Sequence, residues 1–505
     1  GAGFSQTRSE AGLPSLPPLI RISFGGFVDT NSQVHGHVVH GHVGFRLLGA
    51  GGLQFKVSQY ADDATLFVKD ERSLCRLLQV VGKYERGSGA KLNTSKSEAM
   101  WLGRWRANGA SPFGLNWVSK IRILGVYFSN GLVSVDSDNW RAKLDKLESV
   151  LNLWKQRELS FLGRALIVNT LGASRFFHVA KIISPPNWVC ERFDRLVWAF
   201  IWKGRMENIS RKRCRASMQL GGLNVVDFRV KCISLRLSCF SSLRDDFGAS
   251  KWHYLARYFI GSRLVRLDDR FNFRSNLCPV SARPSRFYRI VLDHFQQLYD
   301  KLGKLPEDLS CKKLYDLFFE LPCVAPLCAG VWRAIVGRLS NWWAAVWRKS
   351  RFKLIEDRKN GLLWLLIHNA VRTRCNLKIW GYIDSDRCAV CSRIETNEHC
   401  FVDCPRVLEV WNYFTPVLAR LQGSPFVPTF QTVMFPLANV PNSSLSVYHY
   451  YVATILFSVW QSRNLATFRN LVLSSRNIID LVIRDIKTPI LGEAVGRIKT
   501  RPAVS

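Results

Sequence analysis

The sequence YADD at residues 60–63 puts two adjacent carboxylates at a predicted reversal of the chain. Residues 55–60 alternate apolar and polar side chains, and residues 64–68 form a second β-rich run, so the pattern predicts a strand, a tight turn and a strand. Two neighbouring carboxylates repel each other unless a cation offsets their charge, which makes a divalent metal ion a suitable occupant. A solvent-exposed turn is the alternative, because aspartate also favours turns through local hydrogen bonds.

The segments around this turn keep the order of a known family. Residues 59–67, QYADDATLF, resemble the active-site hairpin of reverse transcriptases, specifically those of non-LTR (LINE-type) retrotransposons. Residues 88–98 resemble the segment that closes the palm subdomain, residues 121–128 the strand pair that grips the primer end, and residues 221–223 a signature behind the thumb. The resemblance extends from about residue 54 to about residue 464.

The resemblance implies a reaction and the residues that perform it. Asp62 and Asp63 would bind magnesium ions and catalyse RNA-directed DNA polymerisation, and Tyr60 and Lys96 would contact nucleic acid. RNA and DNA, as primer and template, are the implied partners. The cytoplasm and the nucleus are the implied locations, and no signal peptide is recognised.

Nucleotide addition by two metal ions also requires a carboxylate from another strand, because neighbouring side chains on one strand diverge. The acidic residues before the hairpin are Glu10 and Asp29, and neither has the sequence context of the family. The finger subdomain is not recognisable either. We therefore expect a truncated reverse transcriptase that binds nucleic acid and cannot polymerise alone. The alternatives are an active polymerase completed by upstream palm and fingers, and a non-enzymatic, zinc-stabilised interaction module.

The composition favours a polyanionic partner. The chain has 71 Lys and Arg residues against 38 Asp and Glu residues, a formal net charge of +33. With 47% hydrophobic residues it is a folded protein rather than a disordered basic tail. Binding of nucleic acid to such a surface releases counterions and weakens as the salt concentration rises. A basic surface that only keeps the protein soluble is the alternative.

We predict an α+β fold. A small antiparallel palm remnant precedes a mostly α-helical thumb and a C-terminal region with a small zinc-binding module. The predicted segments are 1–50, degenerate or poorly ordered; 51–135, partial palm; 136–240, helical thumb-like region; 241–330, connector; 331–470, zinc-binding module with flanking helices; and 471–505, basic tail. The apolar run 445–460 is predicted to be a buried helix rather than a membrane span.

The thumb-like region has a heptad-like stripe that predicts core packing. The stripe consists of Trp140, Leu144, Leu147, Leu151 and Trp154. Lys143, Lys146 and Lys155 are available for the other faces of this helix. The resemblance implies that a basic face of the thumb follows the minor groove of the primer-template duplex.

Two further basic segments are candidates for nucleic-acid contacts. Arg211, Lys212 and Arg213 lie in a charged run after two tryptophans, which is typical of either a phosphate contact with aromatic support or a solvated loop. Lys349 and Arg351 follow a group of four tryptophans between residues 332 and 347. Mixed aromatic and basic residues suit single-stranded nucleic acid, although tryptophan is more often found in a protein core.

Four residues have the spacing of a zinc site. Cys388, Cys391, His399 and Cys404 form the pattern C-x2-C-x7-H-x4-C. Two cysteines three positions apart fit a tight turn whose thiolates reach one ion, and the later two residues complete a tetrahedral shell. A shell of four protein ligands leaves no position for water, so the zinc is predicted to be structural. Cys400 gives the alternative C-x2-C-x8-C-x3-C.

The sequence around His399, Cys404 and Trp411 resembles the zinc-binding module of LINE-type reverse transcriptases, in which the histidine is the ligand. The resemblance therefore implies His399, with Cys400 as an apolar neighbour. The chain has fourteen cysteines without an evenly spaced framework. That distribution favours metal binding in a reducing compartment over a set of disulfides.

Overall fold

The computed structural model describes residues 19–25, 45–46, 54–55, 57–60, 63–89, 91–244, 251–271, 284–320, 325–326, 328–329, 332, 340–349, 355–434 and 442–499. Helices make up most of this part of the chain, and the strands form small sheets. The predicted α+β fold class is confirmed. All cysteines in the described ranges are free thiols.

The strands lie in the N-terminal part of the chain. They are β1 (Leu19–Gly25), β2 (Phe45–Arg46), β3 (Gln54–Phe55), β4 (Val57–Tyr60), β5 (Asp63–Phe67), β6 (Lys91–Leu92), β7 (Glu98–Met100), β8 (Asn116–Trp117), β9 (Lys120–Ile123) and β10 (Val126–Ser129). The largest sheet has the order β4-β5-β1-β7-β8, with β6 beside β1. Its pairs are antiparallel except β7 with β8. β9 pairs with β10, and β2 with β3.

The α-helices follow in chain order. They are α1 (Glu71–Ser88), α2 (Asp136–Lys155), α3 (Phe161–Ile167), α4 (Ser174–Ile182), α5 (Asn187–Ile201), α6 (Arg211–Arg215), α7 (Phe228–Ser238), α8 (Lys251–Leu267), α9 (Arg286–Leu302), α10 (Cys311–Phe318), α11 (Ser340–Lys349), α12 (Asp357–Ile367), α13 (Arg374–Ile379), α14 (Pro405–Gln422), α15 (Phe430–Met434), α16 (Asn442–Arg469) and α17 (Ser475–Lys499). Val168–Ala173 and His399–Asp403 are π-helical.

β4 and β5 form the predicted hairpin. Tyr60 pairs with Asp63 at its closed end, and Val57 pairs with Leu66 at the other end. β1 lies on the far side of β5, where Ser23 is the partner of Asp63. The alternating pattern in the sequence therefore predicted β4 and β5 correctly. It did not predict β1, the strand that lies between β5 and β7.

α1 is an amphipathic helix, and its apolar face packs on the sheet. Its buried face and the sheet form one core: Leu66, Val68, Leu74, Leu77, Val81, Ala99 and Leu115. The helix begins after Asp70, whose carboxylate accepts a hydrogen bond from the N–H of Ser73 at 2.8 Å. This cap satisfies one of the free N–H groups of the first turn.

The chain divides into two compact units, and each unit contains three stretches of sequence. The first unit consists of Gly1–Val150, Leu171–Leu196 and Asp227–Glu320, and the second of Leu151–Thr170, Val197–Val226 and Leu321–Ser505. In the first unit, α7 to α10 enclose a second core around Phe240, Phe271 and Phe295.

Tryptophans form much of the core of the second unit. Trp332, Trp343 and Trp347 are buried. The indole N–H of Trp332 donates to the carbonyl of Ile367 at 2.9 Å. Because these rings are covered by protein atoms, the structure favours their role in the core over base stacking.

The Gly221-Gly222 pair is required by close packing in the second unit. Gly221 has a left-handed backbone (φ 76°), and a Cβ atom on it would lie 2.5 Å from the ring of Trp347. A Cβ on Gly222 would lie 1.9 Å from the carbonyl oxygen of Ala216. Any larger residue would therefore displace this turn, so the glycines have a structural role.

α16 contains the predicted apolar helix. Tyr448, Val452, Ile455 and Val459 are buried along one side of it. Among the described residues, no helix has the length and the apolar character needed to cross a membrane.

Candidate zinc site and nucleic-acid-binding residues

The first two candidate zinc ligands lie on a tight reversal of the chain. The N–H of Cys388 donates to the carbonyl of Arg393 at 2.7 Å, and the N–H of Ser392 donates to the carbonyl of Cys388 at 3.0 Å. Ser392 has a left-handed backbone (φ 58°), which turns the chain directly after Cys391. The N–H of Val390 donates to the Cys388 sulfur at 3.4 Å, and such a bond favours the thiolate form.

The other two candidate ligands lie at the start and directly after the end of a π-helical turn. His399–Asp403 forms this turn, and the N–H of Cys404 donates to the carbonyl of His399 at 2.9 Å. Cys404 lies at the N-terminus of α14, and Pro405 occupies the first turn of the helix. The positive end of the helix dipole favours a negatively charged sulfur at this position.

The four side chains converge. One ligand atom from each of Cys388, Cys391, His399 and Cys404 lies within 4.8 Å of the others. Cys391 Sγ is 3.2 Å from His399 Nε2. A hydrogen bond from the Cys404 thiol lowers the pKa of Cys388, and the same bond raises the pKa of Cys404. Three sulfurs this close can all be thiolates only around a cation, and this donor set fits structural Zn²⁺.

Cys400 lies outside this group. Its side chain is buried, and burial raises the pKa of its thiol. The geometry therefore favours His399 over Cys400 as the fourth ligand.

A buried ion pair supports the zinc loop. Arg463 donates to Glu395 Oε1 from Nε at 3.0 Å and from Nη2 at 2.6 Å. The N–H of Arg374 donates to the same oxygen at 2.8 Å. These bonds connect the zinc loop with α13 and α16. Sequence reasoning missed Glu395, because an isolated glutamate carries no local signal of its partner 68 residues away.

The structure describes one of the two predicted catalytic carboxylates. Asp63 begins β5, between its partners Tyr60 on β4 and Ser23 on β1. Asp62 lies outside the described residues. The sequence of β1, LIRISFG, contains neither Asp nor Glu. The strand beside Asp63 thus supplies no further carboxylate.

The predicted nucleic-acid contacts at the hairpin and at residue 96 are accessible. Tyr60 is 69% exposed, and Lys96 ends an exposed 3₁₀ turn. Two other predicted contacts fall outside the described part of the chain. Arg351 lies outside the described residues, as does the side chain of Lys349, the last residue of α11.

The basic run at α6 divides into surface and interior residues. Arg211 and Lys212 are exposed, and the Arg211 guanidinium lies 5.6 Å from the ring centroid of Trp198. Arg213 is 3% exposed, and its guanidinium donates to the carbonyl of Ala325 at 2.7 Å. Arg213 therefore holds the fold, and we exclude it from the nucleic-acid surface.

A further basic cluster begins at the junction of α2 and β10. Asn139 of α2 exchanges two hydrogen bonds, each 2.9 Å long, with the backbone of Tyr127. Lys143 follows Asn139 by one helical turn. Arg122 is the cross-strand partner of Tyr127, and its guanidinium lies 5.6 Å from the Tyr127 ring centroid. The junction therefore brings Lys143 and Arg122 together.

α4 adds the third cation of this cluster. His178 Nε2 donates to the carbonyl of Leu124 in the β9–β10 turn at 2.9 Å. Arg175 precedes His178 by about one turn of the helix. Burial, Arg122 and Arg175 all lower the pKa of Lys143. Sequence reasoning singled out Lys143 and included Arg122 in the segment 121–128, but it missed Arg175, since only the tertiary fold brings the three cations to the same place.

Comparisons with known proteins agree with the zinc site. Residues 327–411 match the family described as zinc-binding in reverse transcriptase. The chain is also 29% identical over 208 residues to the transposon TX1 uncharacterized 149 kDa protein of Xenopus laevis. That match covers 40% of this chain and 16% of the relative.

The family match spans the described Cys3His group of Cys388, Cys391, His399 and Cys404. The chain thus resembles the C-terminal portion of the reverse transcriptases of non-LTR retrotransposons, and its residues 327–411 are similar to the zinc-binding domain of reverse transcriptases.

Proposed function

We propose that this chain binds primer-template nucleic acid through the cluster of Arg122, Lys143 and Arg175. The observation that carries the proposal is the convergence of these three cations, from a strand and two helices, in the first unit. Cations that lie close together repel each other and do not stabilise the folded protein. Phosphates would offset the repulsion, and each neutralised phosphate would release counterions.

The surroundings of the cluster support a backbone contact rather than base recognition. Arg122 lies against the Tyr127 ring, 5.6 Å from its centroid, whereas the neighbouring Lys120 is already paired with Asp138 at 2.6 Å and is not counted in the cluster. Asn139 holds α2 against β10, and His178 holds α4 against the β9–β10 turn. These contacts fix the positions of Arg122, Lys143 and Arg175. Such a group of fixed cations suits contacts to the phosphate backbone.

The zinc-binding domain has a structural part in this proposal. Cys388, Cys391, His399 and Cys404 would hold Zn²⁺ in a closed shell, and the ion would fix the loop between α13 and α14. The reducing cytoplasm or nucleus is the compartment that suits these thiols.

We also propose that the chain does not extend a primer alone. Asp62 and Asp63 would bind magnesium in a complete polymerase site, where the ions polarise the primer hydroxyl and hold the triphosphate. β1, the strand beside Asp63, brings no carboxylate of its own. Two-metal chemistry at this hairpin would therefore need an acid from another segment.

Binding of a labelled RNA–DNA primer-template duplex to the full chain tests the proposal. Lys143→Gln with Arg175→Gln should weaken binding by about tenfold, equivalent to about 1.4 kcal/mol. The matched control is Arg72→Gln with Arg76→Gln, which removes the same charge from an exposed face of α1 in the same unit. Equal affinities for the two double variants would refute the assigned surface, and primer extension by the unaltered chain would refute its incompleteness.

A further inference from the structure

Two segments of the second unit meet at a surface that no motif identified. The guanidinium of Arg372 donates to the carbonyl of Met206 at 3.3 Å. The amide of Asn208 donates to the carbonyl of Ala370 at 3.2 Å. These bonds fix the loop after α5 against the loop between α12 and α13, so the side chains on the two loops keep a defined arrangement.

The loop after α5 carries two exposed cations. Lys203 and Arg205 are both exposed, on either side of Gly204. Lys203 has a left-handed backbone (φ 53°), although lysine rarely adopts this conformation. Lys203 and Gly204 form a tight end to the helix, in which the N–H of Gly204 donates to the carbonyl of Ala199 at 2.7 Å. The turn projects both cations from the end of α5.

Positive charge is concentrated around these loops. Burial and then Arg205 lower the pKa of Arg372. Burial and then Arg164 lower the pKa of Lys203. Glu158 also acts on Lys203, but its carboxylate forms an ion pair with Arg358. Glu207, the carboxylate on the loop after α5, likewise forms an ion pair with Arg211, so the local balance of charge is positive.

The aromatic ring of Tyr382 lies beside these cations. α13 ends in a Schellman motif, in which Gly381 (φ 77°) donates to the carbonyl of Lys378 and Tyr382 donates to that of Leu377, both at 2.9 Å. The motif places Tyr382 directly after the turn, where its side chain is 56% exposed. Its hydroxyl donates to the sulfur of Met206, which ties the ring to the cationic loop.

We propose that Lys203, Arg205, Arg372 and Tyr382, here called the Arg372 patch, form a binding site for single-stranded nucleic acid. The three cations hold the phosphates, and the ring of Tyr382 stacks on an unpaired base. A duplex covers the faces of its bases, so an exposed ring beside cations selects a single strand. This inference rests on the proposed nucleic-acid function and assigns it a second surface, separate from Arg122, Lys143 and Arg175.

The test measures binding of a labelled oligouridylate, which forms no duplex, to the full chain by fluorescence anisotropy. Arg205→Gln with Arg372→Gln should weaken binding by about tenfold. Arg420→Gln with Arg476→Gln removes the same charge from exposed positions on α14 and α17 and should change binding by less than about twofold. Equal losses in both double variants would overturn the proposal, because the effect would then be one of net charge.

Tyr382 provides an independent test. Tyr382→Ala should weaken oligouridylate binding by about tenfold, whereas Tyr382→Phe keeps the ring and should retain the affinity of the unaltered chain. Melting temperature and zinc content establish that each variant is folded. Unchanged binding by the alanine variant would overturn the stacking role. The binding of each variant to the primer-template duplex is measured as well. If oligouridylate binding does not depend on the Arg372 patch, the patch is refuted, while duplex binding through Lys143 is unaffected, so the two proposals are judged separately.

Discussion

Asn139 and Tyr127 exchange two hydrogen bonds, one in each direction and each 2.9 Å long. The bonds join the buried side of α2 to the backbone of β10, one helical turn before Lys143. The position of the basic cluster therefore depends on a neutral residue that would not itself touch a phosphate.

Replacing Asn139 with alanine should lower the free energy of unfolding by about 1–3 kcal/mol, because the N–H and carbonyl of Tyr127 lose their partner. Chemical denaturation measures this change. Asn152→Ala is the control, since Asn152 is exposed on the same helix and its replacement should cost less than about 0.5 kcal/mol. A loss for Asn139→Ala no larger than that of the control would contradict the assigned role.

The ion pair of Arg463 with Glu395 should be essential for the stability of the zinc-binding domain. The side chains are 6% and 1% exposed, so Arg463→Met leaves a buried carboxylate without its cation and should cost about 3–5 kcal/mol. Adding Glu395→Gln removes the stranded charge and should recover part of the loss. The exposed Arg476–Asp480 pair is the control, because Arg476→Met should cost less than about 1 kcal/mol. A double variant less stable than Arg463→Met would count against this explanation.

Zinc content should depend on Cys391 and not on Cys400. Cys391→Ser removes one of the converging ligand atoms, so the purified protein should lose most of its zinc and melt at a lower temperature. Cys400→Ala removes a buried thiol outside that group and should retain one zinc ion per chain. Measuring the zinc content of both purified variants tests this prediction. Loss of zinc from Cys400→Ala with retention in His399→Ala would mean that Cys400 is the fourth ligand.

The cap of α1 should make a pH-dependent contribution to stability. The hydrogen bond from the N–H of Ser73 lowers the pKa of Asp70 below its ordinary value. The folded-state pKa is therefore below the unfolded-state pKa, so the contribution is fully present above the unfolded value, near 4, and is lost as the pH falls through the folded value. Asp70→Asn keeps a capping oxygen without titrating.

Urea denaturation of the unaltered chain and of Asp70→Asn checks this at two pH values. At pH 7 the unaltered chain should have the larger free energy of unfolding, and the difference should shrink as the pH falls below about 4. A difference that stays constant or grows on acidification would show that the carboxylate is not responsible.

The sequence was sufficient where neighbouring residues determine the structure. The alternation on both sides of residues 60–63 is a local property of a strand, so β4 and β5 were predicted. The spacing from Cys388 to Cys404 likewise follows from the geometry of one turn and one ion. By contrast, β1 pairs with β5 across about forty residues, and no local pattern specifies such a partner.

Charge and aromatic content were harder to interpret. Arg211 and Arg213 are two positions apart on one short helix, yet one is exposed and the other is buried against Ala325. Trp343 and Trp347 lie in a basic segment that is typical of a nucleic-acid surface, but both rings are core residues. Composition predicts that a polyanion is bound. It does not predict which cations face the solvent, because burial is decided by distant segments.

The salt dependence of duplex binding tests the central claim most directly. The logarithm of the association constant falls linearly with the logarithm of the salt concentration, by about 0.9 for each phosphate that a cation neutralises. If Lys143 and Arg175 each contact a phosphate, Lys143→Gln with Arg175→Gln should reduce the magnitude of this slope by about two, and Arg72→Gln with Arg76→Gln should leave it unchanged. An unchanged slope for the first double variant would contradict the account, since those two cations would then lie away from the bound duplex.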